Sequence, residues 1–203
     1  MHLSATAIVV AVRAHGEHGA VVRSLTAEAG LIAGYVRGGR STRLRPILQP
    51  GNVVSGEWRA RSETQLAALT VELAHSRAGL HASPLGAAAL EWACALVAGA
   101  LPEGQPYPAI HAAFAGLLDA VEAAPAARGW AAALVRFEAL VARELGYGGA
   151  ALAMPGSDAD WPALIAALDA SGEHLARHLF AERRARPLDA RERLMMRLAR
   201  MVA

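Results

Sequence analysis

The chain has 203 residues, 54% of them hydrophobic, which is enough for one large domain or two small ones with a substantial core. All 20 basic residues are arginine, and the formal net charge of +2 conceals two basic ends around an acidic middle. Residues 1–79 contain nine arginines and five acids, and residues 177–203 contain eight arginines and three acids. Residues 80–176 between them contain three arginines and ten acids. This asymmetry favours nucleic acid or acidic proteins as partners of the two ends.

Cysteine content and apolar runs exclude several classes of protein. The single cysteine, Cys94, excludes a disulfide within this sequence and a zinc site built of cysteines. The apolar run at residues 5–12 is short, follows no basic segment and is broken by Arg13, so we expect no signal peptide. No apolar run reaches the ~18 residues that a membrane helix requires. We therefore expect a cytoplasmic protein that binds no membrane.

The first third of the chain has the pattern of short strands separated by glycine and proline turns. Five segments carry β-branched or alternating apolar residues: 5–14, 21–26, 31–37, 52–61 and 66–74. Five such strands at this spacing predict a small closed barrel. The OB-fold is the best-known five-stranded barrel and binds oligonucleotides on its open face, although the strand number also permits an SH3-like barrel.

The most basic stretch of this part follows the third predicted strand. Residues 37–51 contain Arg37, Arg40, Arg43 and Arg45 and no acid. Each guanidinium can direct two N–H donors at a phosphate, and the glycines at 38 and 39 permit close approach of the backbone. We predict that these four arginines bind a polyanion. The alternative is a hairpin loop whose charges are only solvated.

Three further residues of the predicted strands bear on nucleic-acid binding. Alternation places Trp58 on the same face of the fourth strand as Val54, and we expect Trp58 in the barrel core. Tyr35 borders the basic stretch, so the sequence is equally compatible with stacking on a base and with packing in the barrel. Arg59 lies on the opposite face from Trp58 and is a further candidate contact for nucleic acid.

From residue 80 the apolar period changes from 2 to 3.6, which predicts an all-α domain over residues 80–203 behind a barrel domain of residues 1–79. Five helices are predicted: one that starts at the Ser83 cap and ends near residues 99–102, one that carries Ile110 to Val121, one over residues 130–145, one that starts at Trp161 and is interrupted or kinked at Ser171 and Gly172, and one over residues 188–202. Three arginines share a face of the last helix: Arg193, Arg197 and Arg200. We expect that face to be solvated rather than bound to phosphate, an acidic protein or a membrane.

Catalytic and metal-binding patterns are missing from the sequence. It contains no glycine-rich nucleotide motif, no nucleophile elbow and no convincing pair of carboxylates. His174 and His178 are four residues apart on a predicted helix, but Leu175 occupies the place of the glutamate in a zinc-protease motif. We therefore predict no enzyme activity, no metal and no cofactor.

Four stretches in the same order resemble the bacterial RecO family of DNA repair proteins: residues 26–30, 38–51, 136–148 and 188–191. The resemblance implies an N-terminal OB-fold and a C-terminal helical domain. It further implies a non-enzymatic recombination mediator that binds single- and double-stranded DNA and anneals complementary strands. Such a protein acts with RecR and single-strand-binding protein to load RecA, and works in the cytoplasm at the nucleoid. Without the resemblance, an OB-fold scaffold for RNA or peptide remains the alternative.

The resemblance also assigns a partner site and marks one departure. Arg136 matches an arginine that helps a helical-domain pocket to hold the acidic, Phe-ended tail of single-strand-binding protein, and Arg143 shares its helix face. Many relatives carry a longer insert after the Leu-Gly-Tyr-Gly turn, in some a four-cysteine zinc module. Here the corresponding residues 149–161 are few and contain no cysteine, so we predict no zinc.

Overall fold

The computed structural model describes residues 2–62, 64–124, 126–149, 152, 156, 159–181 and 186–200, with Arg186 described by its backbone only. As predicted, five strands form a closed barrel, and their order around it is β1-β2-β3-β5-β4. The strands are β1 (His2–His15), β2 (Gly19–Thr26), β3 (Gly30–Val36), β4 (Val53–Arg59) and β5 (Ala67–His75). The sequence therefore located all five strands, with differences only at their ends.

The long first strand closes the barrel on two sides. The N-terminal half of β1 pairs antiparallel with β4, and its C-terminal half pairs antiparallel with β2. A bulge between Val9 and Ala11 separates the two halves of the β2 pairing and increases the local twist. The final seam is short, because β3 and β5 pair in parallel only at Gly34–Ala67 and Tyr35–Ala68.

Trp58 lies in the barrel core, as predicted, with none of its surface exposed. Gly56 on the same strand and Gly34 on β3 across the barrel interior make room for its indole. A Cβ at Gly56 would lie 2.4 Å from the Trp58 ring, and one at Gly34 would lie 2.9 Å from its Nε1. Substitution of either glycine would therefore force the largest core side chain to move.

Five α-helices follow the barrel. They are α1 (Pro84–Ala100), α2 (Pro108–Ala123), α3 (Ala131–Glu144), α4 (Trp161–His178) and α5 (Arg186–Ala199). The Ser83 side chain caps α1 by accepting from the Gly86 N–H at 3.3 Å, as its position before a proline predicts. The expected extension of the last helix to residue 202 falls partly outside the described residues.

The prediction of an interruption at Ser171 and Gly172 is wrong, since α4 is continuous across both residues, whereas the alternative of a kink there stays a prediction. Both positions serve a tertiary contact instead. The Ser171 hydroxyl donates to the Leu168 carbonyl at 2.9 Å within the same helix, and the Arg191 guanidinium lies where a Cβ of Gly172 would be. A small residue is therefore required there by packing against α5 and not by a break in the helix.

The barrel has an apolar core of its own, and one of its outer faces packs against the helices. Ile8, Val10, Leu25 and Leu31 on the outside of the barrel belong to the same buried cluster as the side chains of the helical domain. The predicted boundary between residues 79 and 80 falls within a short 3-10 helix, Ala78–Ala82, which joins β5 to α1. None of the helices in the described part of the chain is long and apolar enough to span a membrane.

A buried arginine adds a polar link between the two domains. Arg77, which is 3% exposed, donates through Nη1 to Glu122 at 2.7 Å and through Nη2 to Asp119 at 2.6 Å. Both acids lie on α2, so this contact connects the end of β5 to a helix of the second domain. The backbone N–H of Arg77 donates to the side-chain oxygen of Asn52 at 2.9 Å, which extends the link to the residues that precede β4.

Candidate nucleic-acid interface and partner groove

Residues 37–51, which we call the basic segment, fold into consecutive hydrogen-bonded turns. The Gly39 N–H donates to the Val36 carbonyl at 3.2 Å, and the Arg45 N–H donates to Ser41 at 2.9 Å. Gly38 has a φ of +69°, a left-handed conformation that glycine adopts without steric cost. The arginines therefore project from a defined backbone.

Two residues that the sequence did not single out attach the basic segment to the barrel. Leu48 is 2% exposed and packs in the barrel core, so the segment contributes an apolar side chain of its own. Asn52 is buried, and its side-chain amide donates to the Pro46 and Ile47 carbonyls at 2.9 and 3.0 Å. An asparagine directly after a Pro-Gly turn is the signal that could have indicated this anchor.

All four predicted arginines of the basic segment are exposed. Arg40 donates through Nη1 to the Glu17 carbonyl at 2.9 Å, and its backbone N–H donates to the His18 carbonyl at 3.2 Å. Both contacts tie the segment to the turn between β1 and β2. Among the residues that the structure describes, no acid lies within ion-pair distance of Arg37, Arg43 or Arg45. Their charges are therefore available to a ligand.

Two of the four arginines meet at a cleft of about 520 Å³, which we call the barrel cleft. Arg40 and Arg45 stand on it, while Arg37 and Arg43 do not. The remaining lining residues come from β1, β2 and the basic segment: Val12, Ala14, Ala20, Gly39, Leu48, Gln49 and Pro50. The cleft thus combines two guanidiniums and the Gln49 amide with several apolar side chains.

Tyr35 lies on the outer surface of the barrel and does not line the barrel cleft. It is partly buried, and its ring covers Gly19 so closely that a Cβ there would lie 2.3 Å from the phenol oxygen. The His15 ring meets it edge-on, with the centroids 5.8 Å apart. These two neighbours hold the aromatic ring against the surface between β2 and β3.

Arg59 is also separate from the barrel cleft, and it is already paired. Its Nη2 lies 2.6 Å from Glu57, which His2 contacts at 2.7 Å. The hydrogen bond to His2, followed by that to Arg59, lowers the pKa of Glu57. Tyr35 and Arg59 both lie opposite Ala68 of β5, so they share one row across the β3-β5-β4 surface. A ligand of the cleft would have to extend along the barrel to reach either residue.

Arg136 and Arg143 line one groove of about 380 Å³ between α2 and α3. They are exposed and lie two helical turns apart, a rise of about 10 Å along α3. Between them the groove is formed by small and apolar residues of both helices: Ala113, Gly116, Leu117, Ala133, Phe137, Ala139 and Leu140. The two predicted partner-binding residues therefore flank a common apolar surface.

A buried ionic cluster orients the helix that carries these two arginines. The Glu138 carboxylate, with no exposed surface, accepts from Trp92 at 2.7 Å and from the Arg191 guanidinium at 3.1 and 3.0 Å. Ser171 donates to the same carboxylate. We call this the Glu138 cluster, and it joins α1, α3, α4 and α5. Because Glu138 points inward, Arg136 two residues before it points to solvent.

Sequence reasoning missed the Glu138 cluster, although Glu138 and Arg191 belong to two of the stretches that resemble the family. Other polar candidates have local roles. His174 contacts the Tyr147 carbonyl, and its ring lies 4.5 Å from that of His178. Within the described residues, no group of three His, Cys, Asp or Glu converges as a metal site would. Cys94 is buried, as predicted, and burial raises its pKa to about 12.

Comparisons with family models and with curated proteins agree on one family. The family models "Recombination protein O N terminal" and "Recombination protein O C terminal" match residues 1–77 and 82–151. The chain is 46% identical over 143 residues to the DNA repair protein RecO of Rhodospirillum centenum, which covers 70% of this chain and 56% of that protein. It is 42% identical over 149 residues to that of Phenylobacterium zucineum, covering 73% and 60%. The match thus spans little more than half the length of these relatives.

Proposed function

Because this chain belongs to the RecO family, we propose that it acts in DNA repair and recombination as a mediator without enzyme activity. In this proposal the basic segment binds single- and double-stranded DNA, and the groove between α2 and α3 binds a partner protein. The protein works in the cytoplasm at the nucleoid. The observation that carries the proposal is the set of four exposed arginines on a backbone fixed by turns, none of them in an ion pair with an acid among the described residues.

The basic segment suits phosphates rather than a particular base sequence. Guanidiniums bind phosphate oxygens through paired N–H donors, and such contacts position a protein on DNA without reading its sequence. The backbone hydrogen bonds and the buried Leu48 fix the backbone that carries these arginines before DNA arrives. Less ordering entropy is then lost on binding. Neutralising the phosphates of two strands would allow complementary strands to approach and anneal.

The groove suits an acidic peptide that ends in an aromatic residue. The rise of about 10 Å between Arg136 and Arg143 corresponds to about three residues of extended peptide. One guanidinium can pair with the terminal carboxylate and the other with an upstream acid, while the aromatic ring packs against Leu117, Phe137 and Leu140. The tail of single-strand-binding protein has this chemistry. Through it, and together with RecR, the protein would deliver strands for RecA loading.

DNA binding is tested by fluorescence anisotropy with labelled single- and double-stranded oligonucleotides at low and moderate salt. The Arg40→Ala/Arg45→Ala variant should bind both at least several-fold more weakly, since each lost phosphate contact removes favourable counterion release. Arg177→Ala/Arg197→Ala removes the same charge from exposed residues of α4 and α5 and serves as the control. No binding of DNA by the wild type at low salt would refute the proposal. Tighter binding of single-stranded RNA than of DNA would favour the alternative, an RNA-binding scaffold.

The groove is tested by calorimetric titration with a peptide that ends in Asp-Ile-Pro-Phe. Arg136→Ala and Arg143→Ala should each weaken binding by about tenfold, the effect of losing one charge-assisted hydrogen-bonding partner. The same peptide with an amidated C-terminus should bind weakly to the wild type and be insensitive to one of the two substitutions. That substitution identifies the arginine that holds the terminal carboxylate. Equal binding of the free and amidated peptides would exclude recognition of the terminus.

A further inference from the structure

We infer that the barrel cleft accepts one unpaired base of a single strand, with phosphates of the same strand on Arg40 and Arg45. The inference rests on the proposed DNA binding and adds to it a local preference for a base that is neither stacked nor paired. It separates the four arginines into two pairs with different tasks. Arg40 and Arg45 line the cleft, whereas Arg37 and Arg43 do not line it. In this inference Arg37 and Arg43 are left to contact phosphates outside the cleft.

The size and walls of the cleft match a nucleotide. Its volume of about 520 Å³ falls within the range of about 300–1,000 Å³ that is typical of small-molecule sites. Val12, Ala14, Ala20, Leu48 and Pro50 provide an apolar lining. Ala20 and Leu48 are buried at its base, and the accessible part of the wall is formed by Val12, which is 38% exposed, Ala14 and Pro50. A planar base can bury one face there.

The rim of the cleft carries the polar groups that a nucleotide needs. Arg40 uses one guanidinium nitrogen for the Glu17 carbonyl and keeps its other N–H groups for a phosphate. That contact also fixes the direction of the side chain. Arg45 has no acidic neighbour among the described residues. The Gln49 amide donates to the Arg45 carbonyl at 3.0 Å, which leaves its oxygen and its second N–H for the edge of a base.

Duplex DNA cannot use the cleft in this way. A paired base is stacked between its neighbours, and its entry would require unpairing and rotation out of the helix. Double-stranded DNA therefore binds through the exposed arginines alone. A single strand gains the additional contact at no such cost, and the protein would favour exposed single-stranded regions without reading their sequence.

The inference is tested with two oligonucleotides of equal length and equal phosphate number. One contains thymidine throughout, and the other replaces every nucleoside with an abasic tetrahydrofuran spacer. At the same salt concentration, the thymidine strand should bind on the order of tenfold more tightly, because only this strand can bury a base face against the apolar wall. Both strands should lose the same factor in Arg40→Ala, since that variant removes a phosphate contact common to both.

Filling the cleft gives the complementary result. Ala14 is exposed and lines the cleft, so Ala14→Val and Ala14→Leu occupy its space in two steps without changing any charge. The advantage of the thymidine strand should shrink in Ala14→Val and vanish in Ala14→Leu, while the affinity for duplex DNA stays at the wild-type value. Retained duplex binding shows that the variants are folded.

The outcomes separate this inference from the proposed function. If the thymidine and abasic strands bind the wild type equally, the cleft holds no base, although the phosphate contacts stand. If the Ala14 series leaves the thymidine advantage unchanged, the base lies elsewhere, and the inference is again wrong. If neither strand nor duplex DNA binds, the proposed function fails together with it.

Discussion

The basic segment and the Glu138 cluster show arginine in two opposite electrostatic settings. In the basic segment, Arg37, Arg43 and Arg45 are exposed and have no acid beside them among the described residues. In the Glu138 cluster, the side chain of Arg191 is 9% exposed and forks onto a fully buried carboxylate. The first setting contributes little to folding and leaves charge for a ligand. In the second setting, the charge of Arg191 is neutralised inside the protein by Glu138, and the pair helps to pack four helices together.

The largest effect that tests this contrast between exposed and buried arginines is expected at Arg191. Arg191→Ala leaves the Glu138 carboxylate buried without its cation, and removal of one partner of such a pair costs about 3–5 kcal/mol. Urea denaturation followed by circular dichroism should show this loss in the free energy of unfolding. Arg193→Ala is the matched control, because Arg193 pairs with Glu91 on the surface at 2.6 Å and should contribute at most about 1 kcal/mol. Equal stability of the two variants would contradict the contrast between the settings.

A second test of the contrast between the two settings concerns Asn52, which anchors the basic segment to the barrel. Asn52→Ala removes the donors to Pro46 and Ile47 and the acceptor of the buried Arg77 N–H, which should cost about 2 kcal/mol. It changes no charge. It should nevertheless weaken DNA binding, because the segment loses the anchor that fixes its arginines. Unfolding and anisotropy measurements on the same sample test both effects, and DNA affinity equal to the wild type would show that the anchor is irrelevant to binding.

The smallest effect is expected at Glu57, which occupies an intermediate setting on the barrel surface. Its pKa is lowered in the folded state by His2 and Arg59, so its contribution to stability is present above the ordinary pKa of 4.5 and is lost as the pH falls through the lowered value. Glu57→Gln should therefore remove a slight acid dependence of the unfolding midpoint below that pH. An unchanged acid dependence would argue against this ion pair.

The same variant tests whether Arg59 contacts DNA. Glu57→Gln releases Arg59 from its ion pair, so the affinity for DNA should rise slightly if Arg59 belongs to the interface. Anisotropy at low salt, where surface charges are least screened, gives the most sensitive comparison. Glu57→Gln/Arg59→Ala is the control, because any gain that depends on Arg59 must disappear in it.

Periodicity predicted the elements of the fold well, because strands and helices are determined by local patterns. The break at Ser171 and Gly172 was predicted wrongly for the same reason: both residues disfavour a helix locally, but Arg191 of a distant helix packs against them. The pairs Glu138–Arg191 and Asn52–Arg77 are 53 and 25 residues apart in sequence. No local pattern joins residues at such distances, so both anchors were visible only in the structure.

The candidate sites show the same difference between features that a local sequence pattern predicts and features that depend on the tertiary structure. The four arginines of residues 37–51 and the absence of acids there were sufficient to single out the basic segment, and the spacing of Arg136 and Arg143 was sufficient to place them on one helix face. Which arginines stand at the barrel cleft depends on how the basic segment folds over β1 and β2. The pairing of Arg59 with Glu57 likewise depends on where the Arg59 side chain lies, which the alternating strand pattern does not predict.

The salt dependence of single-strand binding tests the central claim most directly. The logarithm of the binding constant should fall linearly with the logarithm of the salt concentration, and each phosphate contact on a single strand contributes about 0.7 to the slope. The variant with Arg37, Arg40, Arg43 and Arg45 all replaced by alanine should therefore have a slope smaller by about 2–3, and Arg177→Ala/Arg197→Ala the wild-type slope. A slope unchanged in the fourfold variant would remove the basic segment from the DNA-binding site.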